Sequence, residues 1–427
     1  MSASLRRNLP LFVAFRVLFH ARFYYPVIGV LFLDLGLTLE QYALLNVIWA
    51  VVIIVLEMPS GALADVIGRK RVVVAAAALM VAEMVVFAFA PRGEWMFWLL
   101  VLNRILSGAA EACASGADEA LAYDSLPEAD RKTTWPRVLE SLMRWKSGGF
   151  FVAMISGAVL FDQTLMGSLL GWTGWQPAST VRWPVYATLI TSIACLFVAL
   201  SFREPPTHSP GGRHAIGRAW QNVIEGAVHV FTSRRILFLM VAALLLDSFV
   251  RIFLTFASNY YRLIELPPFV NGMLGSGLAL LGFAVAPLAK RMVARRGVVA
   301  NYFVVAALVL VGLTGTALAL RFWGAWVVVP LGVAMSMLQF FTSNYLNQWT
   351  ESTVRATVLS FRGVAFNLGY AAAGILFAQL TGHLRAASPG ADENAIFGEA
   401  LTWLPPAFLG CGLVLWVALR LVRGPAR

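Results

Sequence analysis

The chain has 427 residues, of which 59% are hydrophobic and 13% charged, against roughly 45–50% and about 25% in soluble domains. That balance excludes an ordinary water-soluble globular protein, because apolar spans on this scale leave too little polar surface to meet water. The net charge of +11 sits mostly in short loops between apolar stretches. This excludes nucleic-acid binding as its purpose and points to anionic lipid and membrane topology.

Twelve apolar segments follow one another, near 11–33, 41–63, 72–90, 96–122, 142–161, 184–201, 236–260, 270–289, 299–319, 324–348, 357–380 and 399–419. Each is close to the roughly 20 residues that cross a hydrocarbon core of about 30 Å. The first begins after Arg6 and Arg7, as a signal peptide would. It lacks a small-residue cleavage site and runs on through Tyr24, Tyr25 and Pro26 to Phe32, so it reads as a retained span.

Basic residues gather on alternate sides of these segments. One side carries Arg6 and Arg7, then Arg69, Lys70 and Arg71, then Arg131, Lys132 and Arg137, and later Lys290, Arg291, Arg295 and Arg296. The turns between carry only Arg92, Arg182, Arg262, Arg321 and Arg385. Basic excess marks cytoplasmic loops, so both termini are expected in the cytoplasm.

The longest polar interval, 203–235, holds Pro205, Pro206, Pro210, Gly211 and Gly212 and divides the chain into six spans and six spans. We expect an N-terminal six-helix bundle over 1–202, a cytoplasmic linker over 203–235 and a C-terminal bundle over 236–427. Equal halves joined this way mark a carrier built from repeats. A trace of the repeat survives: Leu63 and Ala64 align with Leu288 and Ala289, and Lys70 and Arg71 with Arg295 and Arg296, while Asp65 is replaced by Lys290.

Trp95, Trp98, Trp183, Trp323, Trp326 and Trp403 fall near outer span ends as interfacial anchors. The loop 163–182, with Trp172 and Trp175, is expected along the membrane surface. Cys113, Cys195 and Cys411 lie singly inside spans, which gives no disulfide framework and no metal pattern. They read as small buried apolar residues.

Charges at membrane depth are costly and mark pathways or partners. Arg22, Glu83, Glu111, Asp247 and Arg251 fall in the middle third of their spans, with Arg16, Arg104, Asp118, Glu119 and Arg362 nearer the ends. In the fourth span Arg104, Glu111 and Asp118 recur every seven residues, with Ser107 and Ser115 between, so on one continuous helix they share a stripe. Two readings stand: a water-lined face with a protonatable Glu111, or a static ion-pair stack.

Asp247 and Arg251 are one turn apart and read either as a self-neutralised pair or as substrate contacts. Arg22 has no partner in its own helix and must find one elsewhere or bind an anion. Pro26 is expected to open the backbone nearby. Glu83 has no role beyond an interhelical partner. The tenth span adds Gln339, Ser343, Asn344, Asn347 and Gln348, able to hydrogen-bond a substrate or neighbouring helices.

The run Gly61-x-Leu63-Ala64-Asp65-x-x-Gly68-Arg69-Lys70-Arg71 resembles the signature loop between helices 2 and 3 of the major facilitator superfamily. Gly61 and Gly68 suit a tight turn and close helix approach, and Asp65 suits a helix cap or a pair with Arg69. Arg104-x-x-x-Gly108 is similar to that family's helix 4 pattern, linked to proton coupling in many members. In the fifth span Gly148, Gly149 and Gly157 are present, but Ala158 stands where the family's antiporters carry proline.

The resemblance implies an all-α membrane protein of twelve transmembrane helices in two six-helix bundles, placed in a bacterial inner (plasma) membrane. It implies that Asp65 and Arg69, with Asp124 as acidic partner, form a conformational latch. It also implies that helices 1, 4, 7 and 10 line a cavity, where Arg22, Arg104, Glu111, Asp118, Asp247, Arg251, Gln339 and Asn344 are the candidate substrate and proton-coupling residues.

The expected function is a monomeric secondary active transporter working by alternating access, resembling the drug:proton antiporters. Proton-coupled efflux of a small amphipathic compound is the first reading, with the proton and membrane lipid as its other partners. Uptake of an organic anion or metabolite is the runner-up, and a non-transporting receptor or lipid-flipping protein is a third. No cofactor or metal is expected, and the chain has no phosphate-loop, HExxH or GxSxG element for an ATPase or a hydrolase.

Overall fold

The computed structural model describes residues 3–174, 177–205, 215–351 and 355–423, and all regular structure among them is helical. In chain order the helices are α1 (Ala3–Arg6), α2 (Asn8–His20), α3 (Ile28–Asp34), α4 (Leu39–Ile67), α5 (Arg69–Phe89), α6 (Met96–Ala114) and α7 (Ala117–Asp124). There follow α8 (Glu128–Phe161), α9 (Gln163–Leu170), α10 (Trp183–Ser201), α11 (Ala215–Thr232), α12 (Arg234–Thr255), α13 (Ala257–Leu263) and α14 (Pro268–Arg295). The last are α15 (Val298–Ala317), α16 (Gly324–Val327), α17 (Val329–Trp349), α18 (Arg355–Ala387) and α19 (Glu393–Arg423).

Eleven helical stretches among the described residues are long and apolar enough to cross a membrane. A twelfth forms if Thr133–Phe161 and Gln163–Thr173, bent by 84°, count as one span. The bend has a local cause. Asp162 leaves helical geometry at φ −74°, ψ 102°, and its carboxylate accepts the Leu165 N–H at 3.0 Å, capping α9. The segment beyond carries Trp172, 86% exposed, while Trp175 lies outside the described residues.

Two other spans are broken where side chains matter. α2 stops at His20, and Pro26 sits in a 3-10 turn over Tyr25–Val27 before α3 resumes. The missing proline N–H and fixed φ favour such an interruption. The Phe23 N–H donates instead to Thr188 Oγ1 at 3.0 Å.

The opened turn nests against α8, where a Cβ on Gly157 would lie 1.7 Å from the Phe23 carbonyl oxygen. Only glycine fits there. The fourth span breaks at Ser115 and at Gly116, whose φ is +77°, a conformation costly for any residue with a Cβ.

The chain divides into two compact units. One comprises 1–37, 48–221 and 268–276, and the other comprises 38–47, 222–267 and 277–427. The first is packed by Phe12, Phe15 and Phe19 of α2 against Val73, Ala76, Ala77 and Met80 of α5, with Ala110, Ala114 and Leu121 from α6 and α7. Lipid tails are as apolar as these side chains, so close packing of small residues, more than water exclusion, holds such helices together.

In the second unit Phe256 stacks among Phe377 (4.6 Å), Tyr42 (5.0 Å) and Phe397 (5.9 Å). There Arg385 of α18 reaches Glu40 of α4 at 3.0 Å and Glu393 of α19 at 2.5 Å. The interval 203–235, read from sequence as linker, contains the 18-residue helix α11. Of the cysteines, Cys195 is buried, Cys113 half-buried and Cys411 exposed, so the buried-apolar reading fails for Cys411.

Candidate functional site

The broken first span determines where Arg22 points. Released from regular helix, its Nη1 donates to Glu83 Oε1 of α5 at 2.7 Å and to the Tyr24 hydroxyl at 3.0 Å. Both partners are shielded, with side chains 2% and 0% exposed. Arg22 is therefore occupied by an internal carboxylate, and the same contact gives Glu83 its partner. Asn103 of α6 fixes α5 alongside by donating to the Glu83 carbonyl at 2.9 Å.

The break in the fourth span falls between Glu111 on α6 and Asp118 on α7. Asp118 opens the second segment, fully buried, and meets Arg16 of α2 through two contacts: Nη2 to Oδ1 at 2.9 Å and Nε to Oδ2 at 2.6 Å. Arg104 remains on the first segment, 5% exposed, with its guanidinium 5.1 Å from the centre of the Phe32 ring. Its Nε and Nη2 find no hydrogen-bond acceptor among the described residues.

Glu111 lies between them, half-buried, with no ion pair among the described residues. It is within electrostatic reach of Arg22 and of Lys146 on α8, and Lys146 in turn feels Arg16 and Asp118. His20, at the end of α2, shares the field of Lys146, Arg16 and Arg22. The spans of the first unit thus bring together the ion pairs Arg22–Glu83 and Arg16–Asp118, near Arg104, Glu111 and Lys146, which have no oppositely charged group in contact among the described residues.

In the second unit Asp247 and Arg251 of α12 pair at 2.8 Å. Arg251 also donates to Asn367 Oδ1 of α18 at 3.2 Å and lies over the Tyr370 ring at 5.3 Å. Arg362 is in the field of the same pair. On α17, Asn344 accepts from Gln348 at 3.3 Å while its own Nδ2 is buried without an acceptor among the described residues. Gln339 is exposed.

At the signature loop, Gly68 makes the turn at φ +103°. Gly61 takes no part in it: it lies in the interior of α4 with open space where a side chain would begin. The Arg69 guanidinium donates to Asp124 and to the Ala120 carbonyl. Arg131 joins Asp124 from the other side at 3.4 Å. The side chain of Asp65 lies outside the described residues. The N-terminus of α5 is instead capped by Glu204, whose two oxygens accept the N–H groups of Arg69 (2.9 Å) and Lys70 (2.8 Å).

Sequence reasoning missed Lys146, Glu204 and Asn367. Lys146 stands inside the fifth apolar span and carries the same signal that singled out Glu111. Glu204 lies in a polar interval where a carboxylate draws no notice.

A profile of the Major Facilitator Superfamily matches residues 11–374. Comparison with curated protein sequences gives no match. Among solved structures, the nucleoside transporter NupG superposes with a TM-score of 0.68 at 13% identity, over 96% of this chain and 99% of that one. A bacterial homologue of the human lysosomal transporter Spinster gives 0.66 at 14% identity, over 97% and 96%. A POT family transporter in complex with 5-aminolevulinic acid gives 0.64 at 14%, over 94% of each chain. At such identities the likeness establishes the fold. With the family match over most of its length and membrane-spanning helices throughout, this chain belongs to the major facilitator superfamily, as a multi-pass membrane transporter.

Proposed function

We propose that the protein is a proton-coupled secondary transporter working by alternating access, with 1–202 and 236–427 as its halves and both termini in the cytoplasm of a bacterial cell. The observation that carries this reading is Glu111, an acid at membrane depth with no ion pair among the described residues. A carboxylate locked in a pair loses that partner when it takes a proton, whereas Glu111 has none to lose. Its charge is felt by Lys146 and Arg22, so taking up a proton alters the local balance that a substrate meets. A ligand or proton shifts the equilibrium only through such a difference between states.

Export of a small amphipathic compound is the first reading, resting on the signature loop and Arg104. Asp65, Arg69 and Asp124 then serve as the latch. Uptake of an organic anion is the second, and Lys146 and Arg104 favour it as cations without a carboxylate in contact among the described residues. Arg22 no longer supports it, since Glu83 already occupies that guanidinium.

The test is flux in liposomes holding the purified protein, with a pH gradient imposed in either direction and a panel of amphipathic cations, sugars, amino acids and organic anions. A gradient-driven flux that Glu111→Gln abolishes supports the reading. Full gradient dependence in that variant overturns Glu111 as the coupling group.

A further inference from the structure

The helix α11 lies outside the spans and still displays an apolar face. Within α11, Ile224, Val228 and Phe231 are 60%, 57% and 65% exposed, and at 3.6 residues per turn they fall on one stripe. A second face, with Val223, Gly226 and Val230, is buried. Glu225, also exposed, lies about 100° from Ile224 and about 60° from Val228 around the axis, at the polar edge of the stripe. The helix therefore has a packed face, an apolar uncovered face and a polar one.

Its position beside the spans is fixed by two contacts. After Ser233 the chain enters the span that opens at Arg234. Seven residues earlier, Gly226 abuts the N-terminal end of α18: a Cβ at 226 would lie 2.3 Å from the Thr357 carbonyl oxygen. The Phe231 ring meets Phe361 of α18 edge-on at 6.2 Å. The segment Val223–Thr232, the apolar part of α11, thus lies beside the N-terminal ends of α12 and α18.

We propose that α11 is an interfacial helix, its Ile224, Val228 and Phe231 stripe seated at the boundary between lipid headgroups and acyl chains. Two features favour lipid as the occupant. The stripe is continuous with lipid-embedded spans at α12 and α18, and the exposed Arg234 and Arg235 complement anionic headgroups at the same level. Amphipathic helices with this division of faces bind there through apolar burial plus electrostatic attraction.

The test uses the full chain with Cys113, Cys195 and Cys411 replaced by alanine and one new cysteine, Val228→Cys or Glu225→Cys, carrying a spin label. The protein is reconstituted in phosphatidylcholine liposomes containing phosphatidylglycerol, and collisions with oxygen and with a water-soluble nickel chelate are measured. The expected result is a reversal: oxygen dominates at 228 and the chelate at 225. Equal access of the chelate to both positions overturns the proposal, as does a label at 228 shielded from both reagents, which would mean a protein surface covers the stripe. If cysteine removal impairs folding, a benzophenone amino acid at 228 in the native-cysteine chain decides the matter. Lipid adducts support the interfacial helix and peptide adducts overturn it.

Discussion

Arg22 and Glu83 stand 61 positions apart in sequence and meet at 2.7 Å inside the first unit. Each group is a costly charge at membrane depth, and each removes the other's cost. Removing one member of such a pair strands its partner, which costs about 3–5 kcal/mol, whereas replacing both with apolar groups is often neutral. Glu83→Ala is therefore expected to lower thermal stability in detergent sharply, and Arg22→Met with Glu83→Leu to recover most of the loss. A single variant as stable as the parent would show that the pair carries little.

Gly157 gives a steric prediction with an internal control. Gly157→Ala drives a methyl group into the Phe23 carbonyl, and overpacking of this kind costs about 1–3 kcal/mol or more. Gly148, on the same helix, has open space at its Cβ position, so Gly148→Ala is expected to be neutral or slightly stabilising. Melting of the two variants side by side checks this.

Asp118 and Glu111 separate structure from coupling. Asp118→Asn takes away the carboxylate that holds Arg16. With Arg16 partly open to its surroundings, the expected loss of stability is about 3 kcal/mol or less. Glu111→Gln breaks no ion pair among the described residues and is expected to leave the melting temperature unchanged while proton-driven flux falls. Equal destabilisation by both would place Glu111 in a static stack.

Glu204 caps α5 through two backbone donors. Glu204→Ala leaves those N–H groups and the positive helix end without their carboxylate, at a cost of about 1 kcal/mol. Hydrogen exchange at the Arg69 and Lys70 amides is expected to accelerate in that variant.

Much of the architecture was legible beforehand because hydropathy is local. The apolar segments appear among the described residues as eleven spans and one bent pair, each set by its own twenty-odd side chains. The fourth span shows the limit. Ser115 and Gly116 form a turn signal, but within a long apolar window it reads as helix, and regular helix is interrupted there between Glu111 and Asp118. The site was legible as a list of charges out of place and illegible as a set of partners. Lys146, inside the fifth apolar segment, carries the same signal.

Sequence by itself determined that this chain lives in a bilayer, how its helices are spaced, and which family its signature loop belongs to. Those are properties of neighbouring residues and survive without knowledge of contacts. Tertiary structure alone decided that Glu83 satisfies Arg22, that Arg16 holds Asp118, and that Glu111 keeps its carboxylate out of any ion pair among the described residues. In a medium that solvates no charge, the meaning of an acid or a base rests on what faces it across the helix interface, and that is set by packing between segments 61 and 102 positions apart.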